Sequence, residues 1–217
     1  MTGPATDLHR LGTALRRAAV VSRLRLAGRE DWDHLWFLGD SEIYSRGCGD
    51  DGAPEIRCVT HCDVGILQRA VDAPLRPDTK LAWSWRVDSL PSELAEDTLP
   101  THDYLSIAVE FENGIDLTYY WSASLPVGTG YWCPLPSWRE REFHVVVRSG
   151  REGIGSWIAE EREVYADYER YVGSPPGRIE RIWLIANSTF QRGVGRCAYR
   201  DIEIRCDTGP RRLVSAG

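Results

Sequence analysis

Two alternating segments joined by Asn113-Gly114 constrain the fold of this chain more than any other feature of its sequence. In a β-strand, successive side chains point to opposite faces, and Asn-Gly is the strongest short signal for a hairpin turn. Within residues 103–112, the even positions are mixed, whereas the odd positions from 105 onwards are wholly apolar. These odd positions are Leu105, Ile107, Val109 and Phe111. The segment therefore predicts an antiparallel hairpin whose odd face covers a hydrophobic core.

The turn also decides which face of the second strand, within residues 115–124, is interior. A strict two-residue turn would place Leu117 opposite Glu110, on the polar face. A longer loop or a bulge would instead bring Leu117, Tyr119 and Trp121 to the apolar side, and we favour this register. Tyr119 and Trp121 are then predicted to point into the interior of the protein.

Further strands are predicted where apolar and polar residues alternate along the chain. Residues 80–88 do so most clearly, with Trp83 and Trp85 on one face. Residues 157–172 show helical spacing and are followed by Gly173, so a helix is predicted there. This order of elements predicts an all-β protein, a single antiparallel sandwich or distorted barrel of about 8–10 strands with one or two helices. The remaining predicted strands are 55–71, 141–150, 179–188 and 196–206.

The two ends of the chain differ from its middle. Residues 7–27 place leucines and alanines near helical spacing between arginines, which is typical of an amphipathic helix or a basic leader. We therefore divide the chain into a basic N-terminal segment (1–30), a barrel or jelly-roll domain (31–207) and a flexible tail (208–217). The apolar run of the first segment is too short for a secretory signal. A cytoplasmic location is predicted, and with it six reduced cysteines.

Charge and cysteine spacing exclude several partners. A formal net charge of −6 argues against nucleic acid, which needs a basic surface, and we expect no stable membrane insertion. Cys58 and Cys62, with His61 between them, have a spacing that zinc sites use, but no second pair follows and both cysteines fit as core residues of a strand. No metal and no cofactor are therefore predicted. His144, on the face opposite Phe143, is predicted to face solvent rather than to act in catalysis.

The aromatic residues raise the possibility of a ligand cavity. The chain has nine Trp and nine Tyr but four Phe, and rings with a polar edge are common in pockets and interfaces. Asp103 continues an inward face, Asn187 continues the face of Trp183, and Asp201 shares a face with Tyr199. These polar residues either lie in solvent at strand ends or mark a cavity with aromatic walls, which is the usual form of a small-molecule site.

An ordered set of short motifs resembles a bacterial family of unassigned function, whose domain is predicted to be β-rich and jelly-roll-like. The resemblance covers roughly residues 55–206, with three departures from the pattern of the family. His102 replaces an aspartate, Ile107 replaces an arginine, and residues 186–190 replace an acidic loop, which together imply a more apolar pocket. The motifs are Trp83-x-Trp85-x-Val87, His102-Asp103-Tyr104, Leu117-x-Tyr119-x-Trp121, Arg148-Ser149-Gly150, Trp157, Asp167-Tyr168 and Tyr199-x-Asp201-Ile202.

A second resemblance rests on composition and fold. The chain is rich in arginine and has one lysine, Lys80, as is typical of proteins from high-GC actinobacteria. A small, cofactor-independent all-β protein with an aromatic cavity is similar to cyclases of polyketide pathways, including the spiroacetal-forming β-barrel cyclases. By this analogy, the partner is a hydrophobic small-molecule substrate and the protein is a cyclase or isomerase. The oligomeric state is left open.

The cyclase hypothesis assigns roles to ten residues. Asp103 is the predicted general acid or base, because a carboxyl group desolvated among indole rings has a raised pKa. Tyr119 is the predicted hydrogen-bond donor, Asn187 and Asp201 are orienting partners, and Glu110 replaces Asp103 if the strand parity is reversed. The predicted substrate-binding rings are Trp83, Trp85, Trp121, Trp183 and Tyr199.

Two alternatives to the cyclase remain open. One is a carbohydrate-binding jelly roll, in which exposed tryptophans stack on sugar rings, and the other is a non-catalytic ligand-binding or structural domain. The exposure of Trp83, Trp85 and Trp121 separates these hypotheses. Rings that enclose a cavity favour the cyclase, a flat exposed platform favours sugar binding, and a fully packed interior favours the non-catalytic domain.

Overall fold

The alternating segments form two β-sheets in the computed structural model, which describes residues 32–35, 42–206 and 211–213. The predicted N-terminal helix, residues 7–27, lies outside the described residues. The strands are β1 (Asp33–His34), β2 (Tyr44–Cys48), β3 (Pro54–His61), β4 (Val64–Pro74), β5 (Lys80–Ser89), β6 (Tyr104–Phe111), β7 (Asp116–Ser122), β8 (Gly130–Trp132), β9 (Glu142–Ser149), β10 (Ile158–Glu163), β11 (Arg178–Asn187), β12 (Val194–Arg205) and β13 (Arg211–Arg212).

The strands are divided between a seven-stranded and a six-stranded sheet. The first has the order β1-β4-β11-β6-β7-β9-β8, and the second has the order β10-β5-β12-β3-β2, with β13 added beside β12. Among the described strands, every pairing is antiparallel except that of β7 with β9. The two sheets pack face to face around a shared apolar core, so the predicted antiparallel sandwich is confirmed.

The Asn113-Gly114 turn has the longer loop that the sequence favours. The backbone N–H of Phe111 donates to the carbonyl of Ile115 at 2.9 Å, and that of Gly114 donates to the carbonyl of Phe111 at 2.8 Å. Gly114 has a φ of +78°, a conformation that glycine adopts without steric cost. This loop pairs Val109 with Leu117, and the odd residues of both strands therefore share the interior face.

The predicted helix over 157–172 is shorter in the structure. Its first half is β10, which pairs with β5 from Ile158 opposite Trp85 to Glu163 opposite Lys80, and only Val164–Tyr171 form helix α1. Residues 158–163 alternate between partly buried and exposed, as the residues of an edge strand do. This two-residue alternation, and not the helical spacing, corresponds to the structure they form. The predicted stop at Gly173 is confirmed, because its N–H donates to the carbonyl of Tyr168.

The interior between the sheets is packed with aromatic rings. Trp83 lies 5.7 Å from Trp85 and stacks on Tyr119 at 5.9 Å, and Trp85 lies 5.8 Å from Trp121. Each of these four side chains is at most 1% exposed. The inner aromatic face of the sandwich is thus a solid core in which the rings contact one another.

The opposite, outer face of the seven-stranded sheet is also buried. Residues 123–141, which connect β7 to β9 through β8, cross this face, and we call them the cover segment. Leu125, Tyr131 and Trp138 of the cover segment pack against a second apolar cluster on the sheet. The buried members of that cluster are Leu35, Ile66, Tyr104, Ala108, Tyr120, Val146, Trp183 and Ile185.

The C-terminal end of the described chain adds a short strand to the second sheet. Within the predicted tail, β13 pairs with β12, and Leu213 is buried and donates its backbone N–H to the carbonyl of Ile202.

Helices in the described part of the chain are all too short or too polar to cross a membrane.

Candidate functional site

Two residues of β9 define the candidate site on the outer face of the seven-stranded sheet. Phe143 and Val145 point into the core, so Glu142 and His144 point outward. The prediction that His144 faces solvent is wrong, because the cover segment places the ring of Tyr131 on its imidazole, with centroids 5.2 Å apart and planes at 9°. His144 is 0% exposed.

Two loops bring His102 and Cys133 to the same place. His102 follows the short 3-10 turn Leu99–Thr101, and its Nδ1 lies 2.7 Å from the carbonyl oxygen of Glu96. Cys133 follows β8, and its backbone N–H donates to the carbonyl of Glu142 at 2.9 Å. These contacts orient both side chains towards β9, and the Sγ of Cys133 lies 3.3 Å from Nε2 of His102.

His102, Cys133, Glu142 and His144 form one buried cluster of potential metal ligands, which we call the His-Cys-Glu cluster. A nitrogen, sulfur or oxygen atom from each of the four residues lies within 4.8 Å of all the others. Nε2 of His144 is 3.4 Å from Oε1 of Glu142. All four residues are buried, so the cluster concentrates polar atoms in a part of the protein from which water is excluded.

Neighbouring side chains donate hydrogen bonds to Glu142 but form no well-oriented one with His144. Oε1 of Glu142 accepts a hydrogen bond from the hydroxyl of Tyr104 at 2.9 Å and a longer one from Thr118 at 3.3 Å. By contrast, neither ring nitrogen of His144 makes a well-oriented hydrogen bond, although Nε2 lies 3.4 Å from Oε1 of Glu142. A buried polar atom without a partner costs about 1–3 kcal/mol, so this imidazole needs an explanation.

Burial and mutual proximity shift the pKa values of three residues of the cluster. Burial, assisted by His144, lowers the pKa of His102 to about 4, so its imidazole is neutral at pH 7 and keeps a lone pair. Burial raises the pKa of the Cys133 thiol. Burial also disfavours the Glu142 carboxylate, but its contact with His144 outweighs this effect and lowers the pKa of Glu142 below its ordinary value. Glu142 is therefore an anion in a buried environment.

A pocket of about 150 Å³ lies beside the cluster, and we call it the ring pocket. Trp138 of the cover segment and Trp183 of β11 form two perpendicular walls, with centroids 6.1 Å apart and planes at 89°. Glu142 of the His-Cys-Glu cluster lines the same pocket. The other lining residues are Val64, Ile66, Tyr104, Leu135, Ile185, Asn187, Thr189 and Phe190.

A second and more open pocket borders the cluster at Cys133. It has a volume of about 540 Å³ and is lined by Cys133 and the partly exposed Trp132, together with Asp97, Pro134, Arg139 and Glu140. Glu142 lines the ring pocket and Cys133 lines this outer pocket. The His-Cys-Glu cluster therefore borders both pockets.

Five predicted site residues belong to the solid core. Trp85 contacts both Trp83 and Trp121, and none of the three lines either pocket. The hydroxyl of Tyr119 donates to Asp167 at 3.0 Å. Tyr199 donates to the backbone carbonyl of Ser106 at 3.1 Å, so these two hydroxyls have partners within the protein.

The predicted acids do not converge on one site. Asp103 is buried, and its two oxygens accept the backbone N–H groups of Phe190 at 3.0 Å and Gln191 at 2.6 Å. Asp201 does not share the inward face of Tyr199 as predicted. It is exposed and has a φ of +53°, because the register between β12 and β5 shifts between residues 200 and 203. An irregularity of this kind reverses the face of a side chain.

Trp183 and Asn187 are the two predicted residues that line the ring pocket. They lie on the outer face, opposite Ala108 and Tyr104 of β6, and not among the interior rings as predicted. The amide of Asn187 is occupied, because it donates to the carbonyl of His102 and accepts from Thr189. Glu110 lies on the same outer face and pairs with Arg181 at 2.6 Å.

Sequence reasoning missed the His-Cys-Glu cluster. One signal was present, because Glu142 and His144 are two residues apart and must share a face of their strand. His102 was noted only as a departure from a family pattern. Cys133 is 31 residues from His102 and belongs to a segment without periodicity, so no local pattern connects the two.

Comparison with known proteins identifies a family but no function. Residues 30–203 match the family described as "Protein of unknown function (DUF3047)", and the chain therefore belongs to that family. No curated protein matches the chain significantly.

Solved structures resemble the chain weakly. The xyloglucanase domain of NopAA from Sinorhizobium fredii, in complex with cellobiose, has 8% identity and a TM-score of 0.43, covering 76% of this chain and 93% of that one. The family 11 carbohydrate-binding module of a Clostridium thermocellum cellulase has 12% identity and a TM-score of 0.39, covering 82% and 89%. The Trichoderma harzianum endoglucanase 3 has 9% identity and a TM-score of 0.36, covering 81% and 98%. With TM-scores below 0.5, these neighbours support no argument about function.

Proposed function

Starting from membership of a family without an assigned activity, we propose that this protein is a carbohydrate-binding module that holds one sugar ring in the ring pocket. The observation that carries this proposal is the pair of perpendicular tryptophans, Trp138 and Trp183, beside the carboxylate of Glu142. A sugar ring has apolar C–H faces and a polar hydroxyl rim, and therefore needs both an aromatic wall and charged or polar hydrogen-bonding groups.

The size of the ring pocket supports a single six-membered ring. Its volume is about 150 Å³, and an apolar cavity of about that size is known to hold one benzene molecule. A drug-sized ligand needs about 300–1,000 Å³. The pocket is therefore too small for a long polyketide chain, but it can enclose the face of one terminal sugar ring whose outer hydroxyls extend beyond the pocket.

The polar atoms of the pocket favour a ligand with hydroxyl groups. Nε1 of Trp183 is buried without a hydrogen-bond partner, and an indole N–H is only a donor. Glu142 is an ionised carboxylate, and it is only an acceptor. A hydroxyl group both donates and accepts, so neighbouring hydroxyls of a neutral sugar satisfy Trp183 and Glu142 at once.

Binding is better supported than hydrolysis. Glycosidases place two carboxyl groups on either side of the scissile bond, whereas Glu142 is the one acidic residue among those that line the ring pocket. The polyketide cyclase prediction has no support. Within the described chain, Trp83, Trp85 and Trp121 fill the aromatic interior themselves and enclose no cavity, which favours a non-catalytic domain over a cyclase.

Tryptophan fluorescence and isothermal titration calorimetry with neutral pentoses, hexoses and their β-linked disaccharides test the proposal. We expect saturable binding, and Trp183→Ala should weaken it at least ~10-fold, or about 1.4 kcal/mol. Trp157→Ala is the matched control. Trp157 is partly exposed and lies beneath Arg200, 4.1 Å from its guanidinium carbon, and it lines neither pocket.

Two results would contradict sugar binding in the ring pocket. One is the absence of measurable binding of every neutral sugar at about 10 mM, which corresponds to less than about 3 kcal/mol of affinity. The other is equal affinity of the wild type and Trp183→Ala, since a sugar bound elsewhere would not respond to the loss of this wall.

A further inference from the structure

We infer that His102, Cys133, Glu142 and His144 bind a zinc ion that fixes the cover segment to the seven-stranded sheet. This inference goes beyond the proposed function, because it concerns a different ligand and is tested without any sugar. The four residues come from three separate parts of the chain: the loop before β6, the cover segment after β8, and β9 itself.

The chemistry of the donor set matches zinc. Two imidazoles, one thiolate and one carboxylate are the side-chain donors that zinc uses in four-coordinate sites. Calcium and magnesium prefer oxygen alone, and a mixed nitrogen and sulfur set selects against them. The charge of Zn²⁺ also equals the combined charge of Cys133 and Glu142 as ligands. The occupied site is therefore neutral, which is what a fully buried location requires.

Two of the six donor-to-donor distances match those of a tetrahedral zinc site. Metal bonds of about 2.0–2.3 Å imply ligand-to-ligand edges of about 3.3–3.8 Å. The Cys133 to His102 edge is 3.3 Å and the His144 to Glu142 edge is 3.4 Å. The remaining edges are at most 4.8 Å. Shortening an edge of 4.8 Å to the length of a tetrahedral edge requires side-chain movements of about 1 Å. Movements of this size complete the coordination shell.

Hydrogen bonds already orient two of the ligands. Nδ1 of His102 faces the carbonyl oxygen of Glu96 at 2.7 Å, which holds the proton on Nδ1 and leaves the lone pair of Nε2 towards Cys133. The hydroxyl of Tyr104 donates to Oε1 of Glu142 at 2.9 Å. Such outer contacts fix the tautomer and orientation of metal ligands in known sites.

His144 supplies an independent observation that points to a ligand. It is 0% exposed, and neither of its nitrogens makes a well-oriented hydrogen bond. A metal bond at one nitrogen accounts for this buried imidazole. Because Glu142 has two carboxylate oxygens, it can bind zinc through one of them and accept a sugar hydroxyl through the other.

The two pockets provide access to the cluster. Cys133 lines the outer pocket and Glu142 lines the ring pocket, so a cation reaches the donors from either pocket after small movements of side chains. Once bound, zinc links Cys133 of the cover segment directly to His102 and to β9. The ion therefore holds Leu135 and Trp138, two walls of the ring pocket, in place.

Native mass spectrometry and elemental analysis of the full chain, expressed with added zinc, test this inference. We expect one zinc per chain. Replacement by Co²⁺ should give the charge-transfer absorption of a cobalt–thiolate bond, and chelation should lower the melting temperature by about 8 °C or more if free zinc had been 1,000-fold above its dissociation constant. Cys133→Ser should abolish the cobalt–thiolate band, and His144→Gln should reduce zinc affinity at least ~10-fold.

Cys62→Ser is the matched control. Cys62 lies 3.1 Å from Nδ1 of its neighbour His61 and offers a competing thiol and imidazole at the surface. The inference is overturned if the wild type carries no stoichiometric zinc, which would leave a metal-free hydrogen-bonded cluster. It is also overturned if Cys62→Ser, and not Cys133→Ser, removes the cobalt–thiolate band. The wild-type measurements stand even if a variant fails to fold.

Discussion

The two faces of the seven-stranded sheet are both buried, but by different means. The inner face packs against the second sheet, and its Tyr119 and Trp121 form a core of interlocking rings with Trp83 and Trp85 of that sheet. The outer face is buried by the cover segment, and it contains histidines, a cysteine, carboxylates and two pockets. The comparison shows that aromatic content alone does not locate a ligand site. Rings that fill the space between two sheets form a core, whereas Trp138 and Trp183 border a pocket beside a carboxylate.

The largest expected effect compares a tryptophan of the core between the two sheets with one on the outer face of the seven-stranded sheet. Trp85→Ala should lower the free energy of unfolding by about 3–5 kcal/mol, because a large ring is removed from a closed core. Trp183→Ala should cost less than about 2 kcal/mol, since one side of that ring already faces a pocket and fewer contacts are lost. Urea denaturation measures both variants. Equal losses would show that the outer face is packed as tightly as the inner one.

Tyr104 on the outer face and Tyr119 on the inner face extend this comparison to buried hydroxyl groups. Tyr104→Phe removes the main hydrogen bond to the buried carboxylate of Glu142 and should cost about 1.5–3 kcal/mol. Tyr119→Phe should cost only about 1 kcal/mol, because Asp167 keeps two hydrogen bonds from Arg162. Chemical denaturation gives the stabilities, and zinc content and sugar affinity should fall in Tyr104→Phe alone. A loss of either in Tyr119→Phe would instead support the predicted functional role of Tyr119.

Asp103 lies immediately before β6, and its carboxylate accepts hydrogen bonds from the backbone of the segment that follows β11. Asp103→Asn should cost about 1–2 kcal/mol, because an amide nitrogen then faces one of the two backbone N–H groups of residues 190 and 191 and leaves it unpaired. Sugar affinity should fall modestly, since Phe190 lines the ring pocket. Asp201→Asn, at an exposed position, is the control and should change stability by less than about 0.5 kcal/mol. Unchanged stability of Asp103→Asn would contradict this structural role.

Glu110 gives the smallest expected effect. It lies on the outer face but pairs with the half-exposed Arg181, and such pairs contribute about 0–1 kcal/mol. Glu110→Gln should therefore leave thermal stability, zinc content and sugar affinity nearly unchanged. A tenfold loss of sugar affinity would extend the binding site along β6 and would restore Glu110 as a functional residue.

The inner face was predictable from the sequence because it obeys a strict period. Leu105 to Phe111 alternate cleanly, and the preference for a longer Asn113-Gly114 loop gave the observed pairing of Val109 with Leu117. Burial of this face depends only on strand parity and apolar side chains, both of which the sequence displays. The helix was predicted too long because residues 158–163 contain charged residues that fit either period until the partner strand is known.

The outer face was not predictable for two physical reasons. Its burial comes from the cover segment, which has no periodicity, so His144 was expected in solvent. Trp183 and Ile185 lie on a strand that is apolar on both faces, and parity alone cannot assign them. Asp201 shows a third difficulty, since a bulge reverses a side chain without a clear sequence signal.

The parallel pairing of β7 with β9 has a consequence for the kinetics of the site. Parallel neighbours cannot be joined by a tight turn, so the chain leaves β7 after Ser122, adds β8 on the far side of β9, and enters β9 at Glu142 running in the same direction as β7. The cover segment is therefore held at both ends by adjacent strands within the sheet. It cannot peel away from a free terminus, and the release of anything enclosed beneath it requires a local opening between two fixed points.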